Sequence, residues 1–272
     1  MKIINPIYHD LSIFRETFCK AKPFPYIVLD DFLDQNFFKS IHNIAENFQT
    51  TSNGVEFNSS VEKNKWISLN TSLPEIIKEI VSTLNSKDWV ENMIRLSTIK
   101  PLLVVSNEAE LANYHVMGKG SFLGSHVDHS HESVNKNPHV LNIIFYLSEE
   151  WDPDDGGGTQ FYNYNGKEVI TEVSYKPNRA VIFLHTPYSF HGVGKISNHI
   201  QTPRRSVYVD YYSENQQPYS SFNIEPNNKW FKHGTTFVQQ NFYSYLKISN
   251  FKYMKTMTRY KLNKFLSKLR SI

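Results

Sequence analysis

The chain has 272 residues, of which 40% are hydrophobic, 20% charged and 14% aromatic. This composition supports a folded core and excludes a disordered, collagenous or low-complexity protein. The single cysteine, Cys19, allows no internal disulfide and no cysteine-rich zinc site, so any metal chemistry depends on histidine and carboxylate side chains. No segment has the roughly 18 apolar residues of a membrane-spanning helix, and the N-terminus lacks the apolar stretch of a signal peptide. We therefore expect a cytoplasmic protein.

The N-terminal part of the chain predicts one strand and two helices. Residues 26–30 are rich in β-branched and aromatic side chains and predict a strand. Residues 35–48 place apolar side chains at steps of three and four behind a capping residue, Asp34, and predict a helix. Residues 74–84 predict a second helix with proline in its first turn. The polar stretch near residues 51–60 predicts a loop.

From about residue 97, short apolar runs alternate with turn residues, a pattern that predicts many short strands in a sandwich or barrel. The runs cover residues 97–105, 111–117, 139–147, 159–163, 168–175, 180–184 and 205–212. We therefore expect a mainly β (α+β) fold in three parts. Residues 1–95 hold the N-terminal strand and supporting helices, residues 96–213 the β core, and residues 214–272 a linker and a helical tail.

The tail carries an excess of positive charge. The formal net charge is +3, yet residues 237–272 contain eight basic residues and no acidic residue, which leaves about −5 on residues 1–236. Its apolar spacing predicts an amphipathic helix. A solvated helix packed on its own domain is the simplest interpretation. The alternatives are contact with an anionic partner such as nucleic acid, with a membrane surface or with a second subunit.

Two side chains that commonly bind metals, His126 and Asp128, lie two positions apart and therefore on one face of an extended strand. Such a pair is weak by itself, since about one is expected by chance in this composition. A third candidate ligand, His191, follows the apolar run at residues 180–184. Two histidines and one carboxylate form the set that holds ferrous iron and leaves three positions open for small ligands.

Other polar groups lie near these three. Arg204 and Arg205 begin the last predicted strand of the core, and a guanidinium group can bind a carboxylate through two hydrogen bonds. The remaining histidines of the region are interpreted as loop residues or as groups that orient ligands. They are His129, His131, His139, His185 and His199.

In order and approximate spacing, residues 112–212 resemble the iron(II)- and 2-oxoglutarate-dependent oxygenases of the prolyl 4-hydroxylase-like type. The resemblance extends over roughly residues 23–213 when the opening PFPYIVLDDFL is included. The motifs that carry it are YHVMGKGSFLGSH (114–126), HVD (126–128), LNIIFYLSEEWDPDDGGGTQFY (141–162), SFHGV (189–193) and RRSVYVDYY (204–212).

The resemblance implies a role for each of these motifs. His126, Asp128 and His191 would hold iron. Arg204 would bind the far carboxylate of 2-oxoglutarate, since Ser206 then falls in register with the family pattern, and Arg205 is the alternative. Two tyrosines, Tyr146 and Tyr114, match residues that hydrogen-bond the cosubstrate in such enzymes.

The fold implied is a double-stranded β-helix, the jelly-roll barrel, with the metal in its mouth. The activity implied is hydroxylation of an unactivated C–H bond in a peptidyl, amino-acid-like or other small-molecule substrate, with release of succinate and CO2. Fe(II), 2-oxoglutarate and O2 are the expected cofactors and cosubstrates, and ascorbate is a further candidate. Asp128 favours hydroxylation, since halogenating relatives lack this carboxylate. The alternatives are desaturation or ring closure on the same scaffold, and a non-catalytic metal-binding jelly roll.

Overall fold

The computed structural model describes residues 2–48, 54–214, 236–238 and 262. Four α-helices and five short 3-10 helices lie in these ranges. The α-helices are α1 (Arg15–Lys20), α2 (Gln35–Asn47), α3 (Glu75–Leu84) and α4 (Lys87–Ser97). The 3-10 helices are Pro6–Tyr8, Leu11–Phe14, Asn70–Ser72, Glu108–Glu110 and Pro153–Asp155.

The strands of the described residues join in one antiparallel sheet that curls into a jelly-roll barrel, as predicted. Along the sheet the order is β1-β8-β5-β10-β4-β9-β6-β7, with β11 and β3 also paired to β4, and β2 paired to β3. The strands are β1 (Tyr26–Leu29), β2 (Val55–Phe57), β3 (Glu62–Leu69), β4 (Asn113–Val127), β5 (His139–Tyr146), β6 (Thr159–Tyr162), β7 (Val169–Val173), β8 (Ala180–Leu184), β9 (His191–Val193), β10 (Arg204–Tyr212) and β11 (Thr236–Phe237).

The central strands β5, β8 and β10 are buried along their whole length, because helices cover one face of the sheet and the barrel interior lies on the other. Side chains alternate between these two faces. On β10, Val207, Val209 and Tyr211 pack into the main core with the helices. Tyr208 belongs instead to the cluster inside the barrel. The even-numbered residues of β10 therefore line the interior.

The helices dock on the outer face of the sheet through apolar stripes. Asp34 caps α2 by accepting hydrogen bonds from the backbone N–H groups of Asn36 and Phe37, which confirms the predicted cap. Between α3, α4 and the sheet, the indole N–H of Trp89 donates to the Tyr211 hydroxyl at 3.0 Å, and that hydroxyl donates to Leu84 O at 2.7 Å. These bonds tie both helices to the outer face of β10.

The long strand β4 changes partners along its length. Residues 113–117 pair with β10, residues 113–123 pair with β3, and residues 123–127 pair with β9 and β11. The change of partners occurs near Gly124. The backbone there lies so close to Val61, the residue before β3, that a Cβ at position 124 would be 2.9 Å from Val61 O. Beyond this point His126 and His191 are register partners on β4 and β9.

Three sequence predictions in the N-terminal half require correction. The apolar run at residues 97–105 forms no strand: α4 ends at Ser97, and the segment is irregular apart from a single bridge between Leu103 and Tyr212. The stretch predicted as a loop near residues 51–60 contains β2 and leads into β3. Helices α1 and α4 were not predicted.

The predicted basic tail lies outside the described residues, except for residues 236–238 and Leu262. The three-part division at residues 95 and 213 stays a prediction. Within the described part of the chain, no helix is both long and apolar enough to cross a bilayer.

Candidate active site

Three polar side chains converge where β4 meets β9. His126 lies near the end of β4, Asp128 directly follows that strand, and His191 begins β9. The Nε2 atom of His126 is 3.5 Å from Asp128 Oδ1, and the Nε2 atom of His191 is 3.3 Å from Asp128 Oδ2. Both imidazoles are buried. The structure therefore brings together the three residues that the sequence selects as a metal-binding set.

Backbone carbonyls fix the orientation of both imidazoles. The Nδ1–H of His126 donates to Gly124 O at 2.8 Å, and the Nδ1–H of His191 donates to Ser189 O at 3.0 Å. A neutral imidazole that donates from Nδ1 presents a lone pair at Nε2. Both Nε2 lone pairs therefore face the Asp128 carboxylate, which is the arrangement that metal-binding histidines adopt.

The ionisation of these groups suits a divalent cation. Burial acts to raise the pKa of Asp128, but the neighbouring His191 and His126 outweigh it and hold that pKa well below its usual range. Burial and the proximity of His191 lower the pKa of His126. At neutral pH Asp128 is therefore a carboxylate and the His126 imidazole is neutral, so neither group must lose a proton before it binds a divalent cation such as Zn²⁺ or Fe²⁺.

Two residues inside the barrel position the carboxylate. The Tyr208 hydroxyl donates to Asp128 Oδ2 at 2.5 Å, and Asn142 Nδ2 donates to the same oxygen at 3.2 Å. Asn142 also contacts the Tyr208 hydroxyl directly. The Tyr208 ring stacks on His115, with ring centroids 5.9 Å apart and an interplanar angle of 8°. The sequence analysis missed these three residues.

Arg204 lies deeper along β10, on the same inner face. It is 2% exposed, and its Nε donates to Gly157 O at 2.7 Å while Nη1 donates to Ser206 Oγ at 3.1 Å. The guanidinium carbon lies 5.0 Å from the ring centroids of both Tyr146 and Tyr175. Because these contacts hold it from several sides, Arg204 is a fixed positive group in the barrel interior.

The glycine run at residues 156–158 supports this arginine. Gly157 has φ +73°, a conformation that favours glycine, and a Cβ there would lie 3.3 Å from Arg204 Cδ and 3.1 Å from the Trp151 ring. The close approach of the backbone allows the Gly157 carbonyl to accept from the guanidinium group.

Tyr146 and Ser206 lie beside Arg204, and their Cα atoms are register partners on β5 and β10. The Tyr146 hydroxyl shares a 2.6 Å hydrogen bond with Thr159 Oγ1. Burial raises the pKa of Tyr146, so this phenol stays protonated at neutral pH. Arg204, Ser206, Tyr146 and Thr159 together form a buried polar cluster that contains several hydrogen-bond donors suited to an anion.

Arg205 lies on the opposite side of β10 and interacts electrostatically with Tyr114. This placement follows from the two-residue period of the strand.

Tyr114 requires a correction, because the structure does not bring it to the other predicted cosubstrate residues. Its ring packs edge-on against Phe48 in the core beneath α2, and its hydroxyl lies 3.5 Å from Ala45 O. On β4 the neighbouring position, His115, faces the interior, as its stacking on Tyr208 requires.

Comparison with protein families finds one match. Residues 109–212 match the model of the 2OG-Fe(II) oxygenase superfamily. No curated protein matches the chain by sequence.

Several solved structures share the fold. A prolyl-4-hydroxylase from Pseudomonas putida aligns over 75% of this chain and 98% of its own, with a TM-score of 0.53 and 12% identity. A prolyl hydroxylase from Trichoplax adhaerens, in complex with a hypoxia inducible factor oxygen degradation domain peptide fragment, aligns over 76% and 90%, with a TM-score of 0.55 and 13% identity. The non-heme alpha ketoglutarate dependent epimerase SnoN from nogalamycin biosynthesis aligns over 74% and 81%, with a TM-score of 0.54 and 13% identity. At these identities the similarity establishes a common fold.

Proposed function

We propose that this protein is an Fe(II)- and 2-oxoglutarate-dependent dioxygenase that hydroxylates an unactivated C–H bond, since residues 109–212 match the model of the 2OG-Fe(II) oxygenase superfamily. The observation that carries the proposal is the convergence of two imidazole Nε2 lone pairs and one carboxylate, from His126, His191 and Asp128, within the barrel. A superfamily match alone leaves the reaction open, since the same fold serves several chemistries.

The proposed iron ligands are His126, Asp128 and His191. Two nitrogen donors and one carboxylate form the facial set suited to ferrous iron. When bound, iron supplies the redox chemistry that couples oxygen and 2-oxoglutarate to oxidation of a C–H bond, with succinate and CO2 as products. The protein would orient the substrate and exclude competing reactions.

The proposed cosubstrate site lies at the Arg204 end of the same interior face. The guanidinium group can bind the far carboxylate of 2-oxoglutarate through charge-assisted hydrogen bonds, with Ser206 and Tyr146 as neighbouring donors. On β10, successive inward side chains are about 6.7 Å apart along the strand, so the order Arg204, Ser206, Tyr208 leads from this anchor toward Asp128. An extended dicarboxylate bound to Arg204 would therefore reach toward the metal position.

The substrate class is proposed more broadly, as a peptide, an amino-acid-like compound or another small molecule. The Trichoplax adhaerens enzyme binds a peptide fragment, whereas SnoN is an epimerase from a biosynthetic pathway. Desaturation, ring closure and epimerisation are therefore alternative outcomes on the same scaffold. We also propose a cytoplasmic location, which fits the lone cysteine.

The test is conversion of 2-oxoglutarate to succinate by purified protein loaded with Fe(II), first alone and then with panels of prolyl peptides, amino acids and small metabolites. A substrate that accelerates succinate release and gains one oxygen atom by mass spectrometry would support hydroxylation. Loss of two hydrogens would indicate desaturation or ring closure, and unchanged mass would indicate epimerisation. Succinate release equal to that of an Asp128→Ala control with every compound would contradict the proposal and favour a non-catalytic metal-binding module.

A further inference from the structure

A second cluster of metal-competent side chains lies on the same interior face, beyond Tyr208. It consists of His129 in the loop after β4, His139 at the start of β5 and Asp210 on β10. His139 Nε2 is 3.4 Å from Asp210 Oδ1, and His129 Nε2 is 3.7 Å from Asp210 Oδ2. Each carboxylate oxygen therefore faces a different imidazole. The proposed iron ligands show the same arrangement, with separations of 3.5 and 3.3 Å.

The His139 imidazole is fixed with its Nε2 lone pair toward the carboxylate. Its Nδ1–H donates to His129 O at 3.0 Å, so a neutral ring has an acceptor at Nε2. His139 is 0% exposed and Asp210 is 8% exposed. Within the described residues, His139 Nε2 and Asp210 Oδ1 have no hydrogen-bond partner. Two buried acceptors that face each other require a positive charge between them.

The distances indicate what that charge is. Hydrogen bonds from nitrogen to oxygen are about 2.7–3.2 Å long, so separations of 3.4 and 3.7 Å are too long for direct bonds. Zinc binds histidine nitrogen and carboxylate oxygen at about 2.0–2.2 Å, and tetrahedral geometry then places two ligand atoms about 3.3–3.6 Å apart. A proton could bridge only one of these two nitrogen–oxygen contacts, whereas a single metal ion could bind the nitrogen and oxygen atoms of both contacts at once.

Neighbouring aromatic side chains contact the two imidazoles of the cluster and limit their movement. His185 stacks on His139 with ring centroids 3.9 Å apart, and His129 stacks on the other side at 4.9 Å. The Tyr212 hydroxyl lies 2.9 Å from His129 Nε2. The His129 side chain is 28% exposed and gives a path for an ion from solvent.

We propose that His129, His139 and Asp210 form a second divalent metal site, suited to Zn²⁺, that is distinct from the proposed iron ligands. A metal bound there ties the loop that carries Asp128 to β5 and β10. Its role is structural: it restrains the segment that follows His126. The inference rests on the geometry of these three residues and does not depend on the reaction catalysed.

The experiment measures zinc bound per chain by equilibrium dialysis and metal analysis of the full-length protein. Zn²⁺ also binds sets of two histidines and a carboxylate of the proposed iron type, so wild type should bind two equivalents. Asp128→Ala should retain one equivalent, Asp210→Asn should retain one, and the double variant should bind none. His199→Ala, which removes an exposed histidine outside both clusters, should still bind two.

Asp210 is buried, so loss of the fold is a second explanation for loss of zinc in Asp210→Asn. A thermal-melting series separates the two explanations. In the Asp128→Ala background, added Zn²⁺ should raise the melting temperature, and His129→Ala, which alters a partly exposed side chain, should remove that increase. The proposal is overturned if wild type binds one equivalent that Asp128→Ala abolishes, or if Zn²⁺ leaves the melting temperature of Asp128→Ala unchanged. Either result would leave a protonated His139 paired with Asp210 as the explanation of the cluster.

Discussion

The Tyr208 hydroxyl donates a 2.5 Å hydrogen bond to Oδ2 of Asp128, across the interior from β10 to the loop after β4. Burial and the nearby carboxylates of Asp128 and Asp210 raise the pKa of Tyr208 well above its usual value, so the phenol remains a donor at any physiological pH. Since the carboxylate can rotate, this bond selects which oxygens face His126 and His191. Tyr208 therefore orients a proposed metal ligand without being one.

Removal of that hydroxyl should weaken metal binding. In Tyr208→Phe the ring still fills its place against His115, but Asp128 Oδ2 retains only the Asn142 donor named above. We expect Fe²⁺ affinity to fall about 10- to 100-fold with the fold intact, measured by anaerobic titration and circular dichroism. The matched control is Tyr162→Phe, whose hydroxyl donates to Gln160. Equal Fe²⁺ affinity in the two variants would refute the positioning role.

The two adjacent arginines should differ in their effect on 2-oxoglutarate. Arg204→Ala removes the charge inside the barrel and should raise the 2-oxoglutarate concentration required for half-maximal succinate release by about 10- to 100-fold, because a charge-assisted hydrogen bond contributes about 1.5–3 kcal/mol. Arg205→Ala changes a group on the opposite side of β10 and should leave that requirement near wild type. The reverse pattern would place the anchor at Arg205.

The docking of the helices on the sheet depends on the Tyr211 hydroxyl. Tyr211→Phe leaves the Trp89 indole N–H without its acceptor and Leu84 O without this donor, both in the core. We expect the free energy of unfolding to fall by about 2–3 kcal/mol in urea titrations. Tyr164→Phe, at a side chain that is 74% exposed, should change it by less than about 0.5 kcal/mol. A Tyr211→Phe variant as stable as this control would show that these bonds contribute little.

The ion pair between Asp30 and Arg179 should make a small, pH-dependent contribution to stability. Two guanidinium nitrogens bind the carboxylate, at 2.5 and 3.0 Å, and hydrogen bonding to Arg179 lowers the pKa of Asp30. A depressed pKa in the folded state stabilises the protein above the unfolded value near 3.9, and that stability is lost as pH falls through the folded value.

Asp30→Asn should therefore destabilise the protein at neutral pH, by less than about 1 kcal/mol because the carboxylate is 41% exposed. The difference from wild type should shrink as the pH falls below the unfolded value of about 3.9, and urea unfolding at several pH values measures it. Asp31→Asn, whose exposed carboxylate accepts a hydrogen bond from Gln35, is the control. A difference that grows on acidification would contradict the assignment.

Local sequence signals account for the elements that were predicted correctly. The α2 helix and its cap follow from apolar spacing and from Asp34, and the strands of the barrel follow from short apolar runs between turns. The run at residues 97–105 was misread because Ile99, Leu102 and Val105 are buried beneath the helices without forming a strand. Strand β3 was missed because it carries polar residues, among them Glu62 and Lys65, which pair with each other when buried.

The metal-binding set was predicted from the short motif that holds two of its members together with the family resemblance, and the resemblance selected Arg204 because Ser206 then falls in register. The two-residue period of the strand also brings Tyr208 and Asp210 to the interior, yet nothing in the sequence showed that they face Asp128 and His139. Those contacts depend on the register of β5 with β10 and on the register shift of β4 against β9 between Leu123 and His126. Tyr114 was placed wrongly because a family likeness does not reveal which face of β4 it occupies.

The most direct test of the proposed centre is anaerobic titration of the protein with Fe(II) and 2-oxoglutarate. The titration is monitored through the weak visible charge-transfer band of an iron–2-oxoglutarate chelate. Wild type should develop the band, Asp128→Ala should weaken or lose it, and Arg204→Ala should require more 2-oxoglutarate to reach it. Absence of the band in wild type, together with tight zinc binding at His126, Asp128 and His191, would contradict the oxygenase assignment and indicate a hydrolytic or structural metal site.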